Sequence, residues 1–180
     1  EVEMRLPFPY EPLGRVKQLE TLQEMANNED FSRRTVREYV EHQRDTRVVL
    51  GLFDIMPSIT SGFADAVLFK KYLPFIEQAM NALKSKYGYD AAEVKSFMIV
   101  KLSPYGRITE HSDDEDQIGI YAGAHRVHVA VTTNKDCMFY LNGEQLHMSE
   151  GEIIEIDNIG PRSVINGGTD RIHLVMDIVG

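Results

Sequence analysis

The chain has 180 residues, 43% hydrophobic and 26% charged, with a formal net charge of −9. That is enough for one domain with a packed core and too apolar for wholesale disorder. The negative balance argues against nucleic acid or an anionic membrane surface as the main partner, since both call for a basic face. No apolar run approaches bilayer-spanning length. The lone cysteine, Cys137, cannot form an internal disulfide and fits a reducing cytoplasm. It stands in the apolar run 137–141 and reads as a buried small residue rather than a nucleophile. Residues 1–4 lack the basic-then-apolar pattern of a leader, and the absence of methionine at position 1 suggests that a few residues have been trimmed.

Taken in chain order, the first fourteen residues hold Pro7, Pro9, Pro12 and Gly14 and are expected to be extended. A helix is predicted from about Arg15 to Ala26, where Val16, Leu19, Leu22 and Met25 fall on one face, with Asn27 and Asn28 as its end. Thr46–Phe53, rich in Val and Leu, reads as a strand, and 58–62 as a break. A longer helix is predicted over 64–87, lined by Leu68, Tyr72, Phe75, Ala79, Met80 and Leu83 and stopped by Gly88. Pro74 predicts a kink in it, or two shorter helices. The basic pairs Arg33-Arg34 and Lys70-Lys71 read as solvated faces.

From Lys95 onward short strand-like runs alternate with turns, at about 96–102, 107–111, 125–133, 137–141, 144–148, 152–157, 162–166 and 171–178. Asn142-Gly143 between two apolar runs is a strong hairpin signal. So many short strands imply a jelly roll or small barrel, with the helices packed on one sheet. The expected organisation is a single domain over 1–180: helical support with at least one strand over 1–94, and a jelly-roll core carrying the site over 95–180.

Three constellations in that core carry chemistry. His111 and Asp113 are two apart, and on a strand they share a face. An imidazole beside a carboxylate is two thirds of the triad that holds non-haem iron(II). The bland alternative is a solvated acidic turn, since Asp114, Glu115 and Asp116 follow. In Arg126–Val131 the valines 127, 129 and 131 share one face while Arg126 and His128 share the other, as expected of a strand with an apolar outside and a polar pocket inside. In Arg171–Asp177 the residues Ile172, Leu174 and Met176 form one face, and Arg171 and His173 point the other way. A buried guanidinium needs a partner. That partner is either a bidentate small dicarboxylate or an internal aspartate.

The order of these features, with Lys101-Leu102, Thr132-Thr133-Asn134, Gly151-Glu152 and Asn166–Asp177 between and after them, resembles the aspartyl/asparaginyl β-hydroxylase-like oxygenases, a family that includes the bacterial proline cis-hydroxylases. The resemblance covers about 97–179, with a vaguer likeness at Asp45-Thr46-Arg47. It implies a mainly β, cupin-like double-stranded β-helix and an Fe(II)/2-oxoglutarate-dependent dioxygenase hydroxylating a free amino acid or other small polar substrate. It also implies His111 and Asp113 as iron ligands, Arg171 as the anchor of the distal 2-oxoglutarate carboxylate, and Arg126 and His128 as further contacts to cosubstrate or substrate. His147 is expected to be structural and His173 to line the pocket or pack, while His125 and His42 receive no role.

One position departs from the family pattern. The second histidine ligand belongs after Pro161, where this chain has Arg162, and a guanidinium has no lone pair to give a metal. Three explanations stay open: Arg162 swings away and iron is held by His111, Asp113 and water; Arg162 pairs with Asp113 in place of a metal; or the arginine is a change peculiar to this source. The second makes the protein a non-catalytic jelly-roll metabolite-binding module. A cupin-like isomerase is a weaker possibility. The acidic loop 112–124, with Gly119 and Gly123, is a candidate lid.

Overall fold

The computed structural model describes residues 8–32, 45–53, 64–112 and 123–180. The break at 58–62, Arg33-Arg34, His42, Asp113 and residues 113–122 of the candidate lid lie outside the described residues.

The chain forms strand β1 (Tyr10–Arg15), helix α1 (Leu19–Asn27), strand β2 (Thr46–Phe53), and helices α2 (Ala66–Lys71) and α3 (Leu73–Tyr87). Strands β3 (Glu93–Leu102), β4 (Arg107–His111), β5 (His125–Thr132), β6 (Met138–Leu141), β7 (Glu144–Leu146), β8 (Glu152–Ile156), β9 (Arg162–Ile165) and β10 (Arg171–Val179) follow. Two antiparallel sheets result, one ordered β1-β8-β5-β10-β3-β2 and the other β4-β9-β6-β7. From β3 onward the chain passes repeatedly from one sheet to the other, the expected jelly-roll arrangement.

Strict alternation along the large sheet divides its two faces. Val127, Val129, Val131, Phe97, Ile99, Ile172, Leu174 and Met176 bury against Leu22, Ala26, Tyr72, Phe75, Ile76 and Leu83 of the helices. The opposite face gives Leu102, Ala130, Ile154 and Ile156 to a second core shared with Phe139, Leu141, Leu146 and Val164 of the small sheet. Truncating one of these large side chains to alanine costs about 2–5 kcal/mol. Gly51 sits in a tight spot between β3 and α2, where an added Cβ would lie 2.6 Å from the Phe97 ring and 3.3 Å from the Phe69 backbone nitrogen.

Local chemistry explains the boundaries. The division at Pro74 is real: α2 ends at Tyr72 and α3 carries the proline in its first turn, where a missing N–H costs nothing. Asp65 caps α2 by accepting from the N–H groups of Val67 and Leu68. Gly88, at φ 69°, ends α3. Asn142 and Gly143 both have positive φ, 49° and 84°, as the two-residue turn between β6 and β7 requires. Two N-terminal expectations need correction. The extended opening segment is a paired strand from Tyr10 onward, and α1 begins at Leu19 rather than Arg15, because Arg15 still pairs with Glu152 in the sheet. Pro12 is tolerated because β1 is an edge strand.

Candidate functional site

The inward faces of both sheets meet at a cavity of about 60 Å³, room for about four to six waters at ~10–15 Å³ each. β4 contributes His111, β5 contributes Arg126 and His128, β9 contributes Arg162 and β10 contributes Arg171. Thr46 of β2, Phe139 of β6, and Val100, Ile108, Ile156 and Val175 complete much of the wall. Five of the six residues singled out from sequence therefore line one cavity; Asp113 is outside the described residues. Among the described residues no group of three His, Cys, Asp or Glu side chains could hold a metal.

The inward arginines differ in how their charge is met. Arg126 forms a two-pronged ion pair with Asp177, Nε to Oδ1 at 2.9 Å and Nη2 to Oδ2 at 3.1 Å. Ser96 donates its hydroxyl to the same Oδ2 at 2.5 Å. The internal Arg–Asp pair allowed by the sequence thus exists, but with Arg126. Arg171 is 1% exposed, and its Nε and Nη1 have no hydrogen-bond partner. Its guanidinium lies over the Phe139 ring, 5.3 Å from the centroid, a cation–π contact that offsets only part of the desolvation. Burial lowers its pKa to about 10, so it stays cationic at neutral pH.

Between the two arginines sits an imidazole pair. His128 Nδ1 and His173 Nδ1 are 3.0 Å apart, so one must donate and the other accept. Burial, then the nearby Arg171 and His128, hold the His173 pKa well below the usual histidine value. His173 stacks on Phe139 at 5.6 Å and 17°, so one ring supports both Arg171 and His173.

On the other sheet, His111 Nδ1 lies 2.9 Å from the Thr109 carbonyl oxygen. A carbonyl only accepts, so Nδ1 carries the proton; in the neutral imidazole the lone pair then falls on Nε2, the tautomer a metal ligand needs. Directly across the ladder, His111 pairs with Arg162. Arg162 is 7% exposed and turned into the cavity, and its Nη1 donates to the Asn158 carbonyl at 3.1 Å. A profile of the family described as "Aspartyl/Asparaginyl beta-hydroxylase" matches residues 69–180, more than half of the chain, and spans every one of these cavity-lining side chains except Thr46. The chain belongs to the aspartyl/asparaginyl β-hydroxylase family.

Solved structures agree on the fold. A viral collagen prolyl hydroxylase of Paramecium bursaria Chlorella virus-1, in complex with 2-oxoglutarate, is similar with a TM-score of 0.58 at 10% identity, covering 96% of each chain. A Pseudomonas putida prolyl-4-hydroxylase is similar with a TM-score of 0.54 at 14% identity, covering 96% of this chain and 93% of that one. A 2OG-Fe(II) oxygenase family oxidoreductase of Burkholderia pseudomallei has a TM-score of 0.54 at 12% identity, covering 90% and 77%. At such identities the likeness concerns architecture. No curated protein matches by sequence.

Within this β-hydroxylase-family fold the other described histidines, His147 and His125, are bonded to protein groups away from the cavity lining, and Cys137 is buried. His147 donates from Nδ1 to the Cys137 carbonyl at 2.9 Å, and the Cys137 thiol is buried with its pKa pushed up by that burial. His125 lies on the helix-facing side of the sheet, bonded to Glu155 and Tyr89. Sequence reading missed Asp177 and Phe139. Asp177 was within reach of the period-two rule, since it shares the inward parity of Arg171 and His173. Phe139 was not, because an apolar residue in an apolar strand carries no mark of its side-chain neighbours. Among the described residues no helix is long and apolar enough to cross a membrane.

Proposed function

We propose that this β-hydroxylase-family chain is an Fe(II)/2-oxoglutarate-dependent dioxygenase that hydroxylates a free amino acid or another small polar substrate in a reducing cytoplasm. The observation that carries the reading is Arg171: a fully buried guanidinium, cationic at neutral pH, with two nitrogens lacking partners at a cavity wall. An unpaired buried charge is costly unless a ligand supplies its counterion, and a carboxylate matches the guanidinium fork.

2-Oxoglutarate fits that requirement through its distal carboxylate. Iron(II) fits His111 through the tautomer that the Thr109 carbonyl imposes, with Asp113 as the carboxylate partner. Arg162 does not fit as a third ligand. When bound, iron would activate dioxygen, the oxidant, with 2-oxoglutarate as co-reductant: one oxygen atom would enter the substrate and the other succinate, with carbon dioxide released. The chain's own residues do the rest. Arg171 orients the cosubstrate, Phe139 and His173 hold Arg171, and Asp177 locks Arg126 at the cavity wall. Val100, Ile108, Ile156 and Val175 exclude water, which strengthens each polar contact inside.

The test is anaerobic addition of iron(II) and 2-oxoglutarate to metal-free protein, watching for the visible metal-to-ligand charge-transfer band, with Arg162→His in parallel. A band in the unmodified protein that disappears in Arg171→Ala is the expected outcome. A band only in Arg162→His would leave a second reading, a metal-free metabolite-binding jelly roll, which is favoured by the burial of Arg162 in the cavity.

A further inference from the structure

On the helix-facing side of the large sheet, away from the cavity, His125 joins Glu155 and Tyr89 in a second polar cluster. Its bonds close within the protein, so it calls for no ligand. A closed hydrogen-bonded chain can still move a proton along itself, and this one has a phenol at one end and a carboxylate at the other.

Local structure sets the order of its members. Tyr87 ends α3, Gly88 turns the chain at φ 69°, and Tyr89 comes back to stack on Tyr87 with centroids 5.5 Å apart and planes at 19°. The backbone of Gly180 packs against the Tyr89 ring, where an added Cβ would fall 2.2 Å away. His125 opens β5 and Glu155 lies on the neighbouring β8; they are 4% and 1% exposed. His125 Nδ1 bonds Glu155 Oε1, and its Nε2 lies 2.8 Å from the Tyr89 hydroxyl. A carboxylate accepts, so Nδ1 carries the proton. In the neutral ring the lone pair is then on Nε2, and Tyr89 donates to it.

That order suits one reaction. A phenol that loses an electron becomes a strong acid, and the neutral radical forms readily where a base already holds the hydroxyl hydrogen. An imidazole is a stronger base than a carboxylate, with ordinary pKa values of about 6.5 and about 4.3. Tyr72 and Tyr87 donate to carboxylates, those of Glu29 and Glu155. Tyr89 has the imidazole, and Glu155 is already bonded to the other ring nitrogen, ready for a charge-assisted pair once that ring takes the proton.

We propose that Tyr89 is a redox-active tyrosine. A high-potential one-electron oxidant takes an electron from the phenol, the hydroxyl proton moves to His125 Nε2, and a neutral tyrosyl radical stands beside an imidazolium paired with Glu155. A one-electron reductant reverses both transfers. Neither iron nor 2-oxoglutarate takes part.

Flash oxidation of the metal-free protein with photogenerated ruthenium(III) tris-bipyridine tests this, read by transient absorption and electron paramagnetic resonance. The unmodified protein should form a neutral tyrosyl radical in a phase whose rate does not depend on buffer concentration, because the proton acceptor is internal. Tyr89→Phe should abolish that phase, and Tyr105→Phe, at a residue 77% exposed, should leave it. His125→Gln can keep both hydrogen bonds through its amide, yet its carbonyl is no base. It should slow the phase at least about tenfold with an unchanged circular dichroism spectrum, a split that a merely structural histidine does not produce. A fast phase that survives Tyr89→Phe, or that keeps its rate in His125→Gln, overturns the proposal. So does radical formation in the unmodified protein that depends throughout on buffer, a result that needs no variant to fold.

Discussion

The six-stranded sheet carries a buried polar cluster on each face, and the two follow opposite rules. On the helix-facing side, Glu155 accepts from His125 and from the Tyr87 hydroxyl, and His125 Nε2 meets the Tyr89 hydroxyl at 2.8 Å. Tyr87 and Tyr89 stack at 5.5 Å and 19°. Both carboxylate oxygens and both ring nitrogens have partners, and the cluster ties the end of α3 to β5 and β8. On the cavity side, Asp177, Ser96 and Arg126 close on themselves in the same way, but Arg171 does not. A polar group that completes its bonds within the protein serves the fold. One held desolvated without a partner costs stability and fits a site built for something that arrives later.

Breaking the closed cluster should give the largest effect on stability. Glu155→Ala strands His125 Nδ1 and takes the carboxylate acceptor from the Tyr87 hydroxyl, and denaturant melts should show a loss of about 3–5 kcal/mol. Calorimetric 2-oxoglutarate affinity of the folded fraction should be unchanged. The open cluster should behave in reverse. Arg171→Met should weaken 2-oxoglutarate at least about a hundredfold, about 2.7 kcal/mol, while its melting temperature stays equal to or above that of the parent.

The comparison sharpens with pH. The folded His173 pKa lies well below its unfolded value. As pH falls below ~6.5 the unfolded chain takes up a proton that the folded one refuses. Stability is full above that pH and is lost on the way down towards the depressed folded pKa. Denaturant melts at pH 6.5 and 5.5 should differ by about 1 kcal/mol more in the parent than in His173→Gln. The smallest effect is expected from Phe139→Leu. It removes the ring beneath Arg171 and His173, worth about 0.5–2 kcal/mol, and should weaken 2-oxoglutarate by several-fold in the same calorimeter.

Much of this was legible in the sequence, for reasons visible residue by residue. Each of the eight runs after Lys95 is a strand, because alternation against two cores leaves each side chain only one comfortable face. Arg126, His128 and Arg171 lie inward as their parity requires. Asn142-Gly143 and Pro74 act as their backbone limits dictate. β1 was read only as extended, because its pairing with β8 joins distant parts of the chain that no local pattern connects. The choice of Arg126 rather than Arg171 as partner of Asp177 was likewise beyond sequence. It depends on register, which sets Arg126 directly opposite Asp177 across β5 and β10.

The pairing of β1 with β8 also fixes a timetable. Its register runs from Arg15 opposite Glu152 to Tyr10 opposite Ile156, so partners lie 137 to 146 residues apart. At roughly 5–20 residues per second on a ribosome, the first strand waits about seven to thirty seconds before its neighbour has been made. During that interval its backbone groups must be kept from other edges. Pro12, which removes one donor from the strand, serves the nascent chain in that interval as well as the finished sheet.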